Sequence, residues 1–71
     1  MTFKELLESK GMSGYYFSKH SGIHQPAVSN MVTGKRDPLN MRLRTCKKAV
    51  DTLGMTLEEF YEALDNDNNN D

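Results

Sequence analysis

The segment from Ser13 to Pro38, SGYYFSKHSGIHQPAVSNMVTGKRDP, constrains the fold of this chain more than any other. Ser13 is a good N-cap, and the residues behind it predict a helix that carries Tyr16 and Phe17 toward a core. Gly22 sits where the chain must reverse, at a position where only glycine takes positive φ without steric cost. Phe17 and Ile23 supply apolar contacts on either side of that reversal, and the small Ser18 lets two helices approach closely. A second helix follows from about Gln25 to Thr33. Pro26 falls in its first turn, where a missing N–H costs nothing. Val28 and Met31 lie three apart and point back to the core, which leaves Ser29 and Asn30 facing outward. Gly34 stops the helix, and two cations, Lys35 and Arg36, come directly after it.

Helical signals frame this segment on both sides. Thr2 and Glu5 form a capping box for a first helix with Phe3, Leu6 and Leu7 as its apolar face, ended by Gly11. Leu39, Leu43, Cys46, Val50 and Leu53 recur at spacings of four and three, one apolar stripe that predicts a fourth helix. Thr56 and Glu59 make a second capping box. Met55 and Phe60 are placed as its hydrophobic staple, and Leu57, Phe60, Tyr61 and Leu64 give the fifth helix an apolar side. Strand-like alternation and hairpin signals are absent from the sequence. The expectation is an all-α fold, a compact bundle of about five short helices over residues 1–64. Residues 65–71, DNDNNND, carry no apolar side chain and are expected to form a disordered acidic, Asn-rich tail. Such a tail either solubilises the terminus or competes for a basic surface.

Composition narrows the function classes. Seventy-one residues make one small domain. A single cysteine excludes an internal disulfide and suits a reducing compartment. No apolar run approaches the roughly 18 residues of a membrane span. Residues 1–10 lack the apolar centre of a signal peptide, so a cytoplasmic location without membrane contact is expected. The net charge is −1, but it is segregated. Between Lys10 and Lys48 there are eight cations (Lys10, Lys19, Lys35, Arg36, Arg42, Arg44, Lys47, Lys48) and one anion, Asp37. From Ala49 onward there are seven anions and no cation. A local basic surface is what binding to a phosphate backbone requires, although a basic run is also an ordinary solvated face.

Two helices joined by a sharp turn and followed by a basic loop are the layout of a helix-turn-helix, whose second helix lies in the DNA major groove. The stretch from Phe17 to Ile23, Val28-Ser29 and Gly34-Lys35-Arg36 with Pro38 resembles the Cro/C1-repressor (Xre-type) family. Thr45, Leu53-Gly54-Met55 and Leu57-Glu58-Glu59-Phe60 are similar to that family's closing helices. The likeness covers residues 2 to 64 and implies a lambda-repressor-like fold and a sequence-specific regulator of transcription. The loop after Pro38 is a few residues longer than is usual in the family.

Helix geometry puts the start of the second helix against base edges: His24 as N-cap, Gln25 as first helical residue, then Ala27. Gln25 has the two-point edge that matches adenine N6 and N7, and Asn30 has the same chemistry five residues on. Ser29 faces a base or a phosphate. The resemblance implies sequence reading at Gln25, Pro26 and Asn30, and phosphate contact at Lys35 and Arg36. Ser13, Gly14, Tyr15 and Thr33 complete the expected backbone set. Two positions depart from the family. Pro26 offers no side-chain hydrogen bond and is limited to packing on a thymine methyl. Gly14 replaces a polar phosphate-binding side chain, leaving its backbone N–H for that role.

One recognition helix reads few base pairs, so specificity favours a homodimer on a palindromic operator with half-sites about one turn apart. The expected action is repression by promoter occlusion. The dimer surface is expected in the C-terminal region, with Met55, Tyr61 and Leu64 as candidates. The competing class is a protein-interaction module on the same fold, such as an antitoxin-like or adaptor partner, to which Pro26 and Gly14 lend weight. Neither a cofactor nor catalysis is expected: there is no phosphate loop and no nucleophile–base pair. His20 and His24 have the spacing of a metal pair, but Gly22 interrupts the helix between them and no further ligands accompany them. Cys46 reads as a small core residue. The cluster Tyr15, Tyr16 and Phe17 reads as core, with Tyr15 the outward member.

Overall fold

The computed structural model describes residues 1–68. Its elements in chain order are α1 (Phe3–Ser9), α2 (Gly14–Ser21), α3 (Gln25–Val32), a 3-10 turn (Pro38–Asn40), α4 (Leu43–Leu53) and α5 (Leu57–Asn68). Among the described residues every regular element is helical, as the periodicity predicts.

Local chemistry sets the helix starts. The Glu5 N–H donates to Thr2 Oγ1 at 3.1 Å and the Thr2 N–H donates to Glu5 Oε1 at 2.8 Å, closing the capping box. Thr56 and Glu59 repeat it at 2.8 and 3.0 Å. At α2 the Tyr16 N–H donates to Ser13 Oγ at 3.0 Å. Each such cap stabilises its helix by about 1 kcal/mol. The helix α1 ends through Gly11 at φ +69°, where the Met12 N–H reaches back to Leu7 O at 2.9 Å.

The core is built from all five helices. Phe3, Leu6 and Leu7 of α1, Phe17, Ile23, Val28 and Met31, then Ala49, Val50 and Leu53 of α4, and Phe60 and Leu64 of α5 are buried. Phe3 meets Phe17 edge to face, with ring centroids 5.4 Å apart. Phe17 is fully enclosed. The N-terminal ammonium of Met1 donates to Ala63 O at 2.7 Å, tying the start of α1 to α5.

Three expectations are corrected. The stripe expected to run from Leu39 to Leu53 is broken at its start. Leu39 lies in the 3-10 turn, which the Asp37 carboxylate caps by accepting the Leu39 N–H at 2.9 Å. Leu43, the first residue of α4, is 71% exposed, because a first-turn side chain projects beyond the helices that cover the rest of the stripe. Ala49 takes part in the core in its place. Tyr16 does not turn inward: it is exposed and stacks on His20 one turn later, ring centroids 4.0 Å apart. Finally, Leu64, one of the expected dimer candidates, is buried, whereas Met55 is half-buried against the core and Tyr61 is exposed.

The helix α5 continues to Asn68, past the boundary drawn at Leu64. Propagating an existing helix fixes one residue per hydrogen bond and needs no new nucleus. Residues 69–71 of the expected tail lie outside the described residues.

Candidate nucleic-acid interface

The turn between α2 and α3 is held by backbone and serine chemistry together. Gly22 ends α2 at φ +79°, and its N–H donates to Ser18 O at 3.0 Å. Ser18 Oγ donates to Ile23 O at 2.7 Å. The Ile23 N–H donates to the buried Ser21 Oγ at 3.2 Å. Both polar groups of Ile23 are thereby satisfied while its side chain enters the core, and α3 leaves the turn in a fixed direction. Sequence reading found Ser18 only as a small residue and missed Ser21; a serine one residue before the turn glycine is the signal that was available.

The helix α3 has two distinct sides. Val28 and Met31 are buried against the core. His24, Gln25, Pro26, Ser29 and Asn30 are exposed. His24 is the N-cap residue, and Pro26 lies in the first turn as expected. No side chain caps this helix start and no acidic residue occupies its first turn. The positive end of the helix is therefore left uncompensated. Ala27 stands apart from the other expected base-reading residues. It is half-buried and packs against the core, leaving only part of its methyl surface outward.

The expected backbone-contacting residues divide in two. Near the start of α2, Tyr15 is exposed, the Ser13 hydroxyl already accepts the Tyr16 N–H, and Gly14 is half-buried. A Cβ at Gly14 would lie 3.7 Å from Val28 and 3.8 Å from Val32, so this glycine sits directly on α3. The N–H groups of Gly14 and Tyr15, in the first turn, have no intrahelical acceptor. At the far end of α3, Thr33 Oγ1 donates to Ser29 O at 3.0 Å, Gly34 turns the chain at φ +84°, and Lys35 and Arg36 are exposed. The Arg36 N–H donates to Asn30 O at 3.1 Å, which fastens the basic loop to the helix beside it. The start of α2 packs on α3 at Val28 and Val32, and the exposed Lys35 and Arg36 follow directly after the end of α3.

Elsewhere the cations of α4 are exposed. Lys47 pairs with Asp51 one turn on, at 2.7 Å. This pair is open to solvent and contributes little to stability. Arg42 caps the start of α4 without a side-chain hydrogen bond, and Arg44 follows in a first turn that holds no acid. Among the described residues no group of three or more His, Cys, Asp or Glu is placed to hold a metal. His20 faces Tyr16 while His24 precedes α3. Cys46 is half-buried, and burial pushes its thiol up from the ordinary value. Among the described residues no helix is long and apolar enough to cross a membrane.

Comparison with protein families matches a helix-turn-helix model over residues 3–60, which is most of the chain. Comparison with curated proteins and with solved structures gives no significant match.

Proposed function

The chain belongs to the Cro/C1-type helix-turn-helix family of DNA-binding regulators, and we propose that it is a transcriptional repressor that binds a palindromic operator as a homodimer and excludes polymerase from an overlapping promoter. The observation that carries this reading is the two-sided α3. Gln25, Pro26, Ser29 and Asn30 are exposed while Val28 and Met31 anchor the opposite side, with Lys35 and Arg36 fastened alongside. In the groove, Gln25 pairs with an adenine edge and Asn30 with the same or a neighbouring base, while Pro26 packs on a thymine methyl. His24 and the exposed part of Ala27 flank them. Ser13, Gly14 and Tyr15 meet one phosphate strand through first-turn N–H groups. Thr33, Lys35 and Arg36 meet another. Phosphate contacts set the register and base contacts choose the site.

Gly14 and Pro26 also favour a second reading, a protein-interaction module of antitoxin or adaptor type, because each removes a polar group from the surface facing DNA. Selection of binding sites from a randomised duplex pool at physiological salt separates the two. A repressor enriches one palindromic motif whose half-sites are about one helical turn apart. An interaction module enriches nothing and binds every duplex weakly, with strong salt dependence.

A further inference from the structure

A cleft of about 480 Å³ opens between the start of α1, the end of α3 with its basic loop, and α5. Small-molecule sites occupy clefts of about 300–1,000 Å³, so this one has room for a ligand. Phe3 of α1, Met31 and Val32 of α3 and Leu64 of α5 give it an apolar lining. Lys4 and Arg36 bring two cations to the same cleft, and Asp37 brings one anion. Asp37 is committed to the turn that follows, where its carboxylate accepts the Leu39 N–H at 2.9 Å. The Met1 ammonium, also beside the cleft, donates to Ala63 O at 2.7 Å. The three charged side chains thus leave one net positive charge over an apolar lining. Lys4 and Arg36 are both exposed, and among the described residues neither forms an ion pair.

We propose that this cleft binds a small monocarboxylate with an apolar body. The body lies on Phe3, Met31, Val32 and Leu64, and the carboxylate meets Lys4 and Arg36. A guanidinium takes a carboxylate through two parallel charge-assisted hydrogen bonds. One negative charge balances the cleft, whereas a second would stand against Asp37 without a partner. The cleft wall is tied to the reading helix: the Arg36 N–H donates to Asn30 O at 3.1 Å, and Thr33 Oγ1 donates to Ser29 O at 3.0 Å. Arg36 also belongs to the expected phosphate-contacting set, and one guanidinium cannot serve a ligand carboxylate and a DNA phosphate fully at once. Occupancy of the cleft therefore weakens duplex binding, and the duplex weakens ligand binding by the same factor. That coupling rests on the repressor reading; the site itself does not.

The test uses the full chain and three probes, octanoate, 1-octanol and acetate, with binding followed without DNA by amide chemical shifts. Octanoate is expected to shift the amides of Lys4, Val32, Thr33 and Arg36 saturably. 1-Octanol has the body without the charge, and acetate the charge without the body. Each is expected to bind about tenfold or more weakly than octanoate. Lys4→Gln and Arg36→Gln change exposed side chains, so helix content by circular dichroism stays at the wild-type level. Each is expected to weaken octanoate binding and to leave 1-octanol binding unchanged. Octanoate is then added to the complex with the selected duplex, with acetate at equal concentration as the salt control. It is expected to loosen the wild-type complex more than that of Lys4→Gln, which keeps Arg36 for the phosphate. No saturable octanoate shift, shifts centred away from the cleft, or 1-octanol binding as tight as octanoate overturns the site. Octanoate that saturates the cleft and leaves the duplex affinity unchanged overturns the coupling. A chain that takes octanoate at these residues and enriches no duplex motif keeps the site and loses only the repressor reading. A chain that enriches a motif and takes no octanoate loses only the site.

Discussion

Ser18 Oγ donates a 2.7 Å hydrogen bond to the carbonyl oxygen of Ile23, five residues on and across the turn between α2 and α3. Ser18→Ala leaves that part-buried carbonyl without its partner. The expected cost is about 1–3 kcal/mol. In a chain of this size each kcal/mol lowers the melting temperature by about 4–8 °C. Urea unfolding of the variant checks the energy, and an unchanged midpoint would show that the bond contributes nothing.

Two glycines respond oppositely to an added methyl. Gly22 has φ +79°, and Gly22→Ala forces an L-residue into the left-handed region at a cost of about 1–2 kcal/mol. Gly14 begins α2 with ordinary backbone angles, and a Cβ there makes normal contacts with Val28 and Val32. Gly14→Ala restricts the unfolded chain and is expected to stabilise by up to about 1 kcal/mol. Paired denaturant curves test both signs at once.

The Glu5 carboxyl sits below its ordinary value because it accepts the Thr2 backbone N–H and shares a second hydrogen bond with the Thr2 side chain. Its folded pKa lies below its unfolded one. The linked stability is thus fully present above the unfolded value and is lost as pH falls through the folded value. Glu5→Gln keeps the capping geometry without the charge. The melting-temperature gap between wild type and this variant should be widest near neutral pH and close as the solution becomes acidic through the carboxylate range. A gap independent of pH would contradict the assignment.

Cys46 is half-buried with its thiol pushed up by burial. The thiolate is the reactive form, so alkylation at slightly alkaline pH should be slower in the folded chain than in urea. Equal rates in the two conditions would place the thiol in solvent.

Much of the fold was legible because the deciding chemistry is local. Thr2 with Glu5, Ser13, and Thr56 with Glu59 announce helix starts within four residues, and Gly22 announces the turn. What escaped depends on where a helix begins relative to its neighbours. Leu43 continues the i, i+4 rhythm of α4, but rhythm does not say that the first turn projects past the core. Tyr16 has an inward neighbour in Phe17 yet turns to stack on His20, a contact set by side-chain direction rather than spacing. In the candidate interface the exposed series on α3 followed from its period. The half-burial of Ala27 and the placing of Gly14 against Val28 and Val32 depend on how closely α2 and α3 approach, which composition does not encode.

The most direct test of the proposal that α3 reads DNA is the binding of wild type, Gln25→Ala and Lys35→Ala to the selected duplex and to every single-base variant of its half-site, at several salt concentrations. Gln25→Ala should weaken the selected duplex by about 1–3 kcal/mol and relax the choice at one base position. Lys35→Ala should weaken all duplexes alike and reduce the salt slope by about one. A Gln25→Ala protein that keeps the full wild-type base preference would contradict the assignment of α3 as the reading helix.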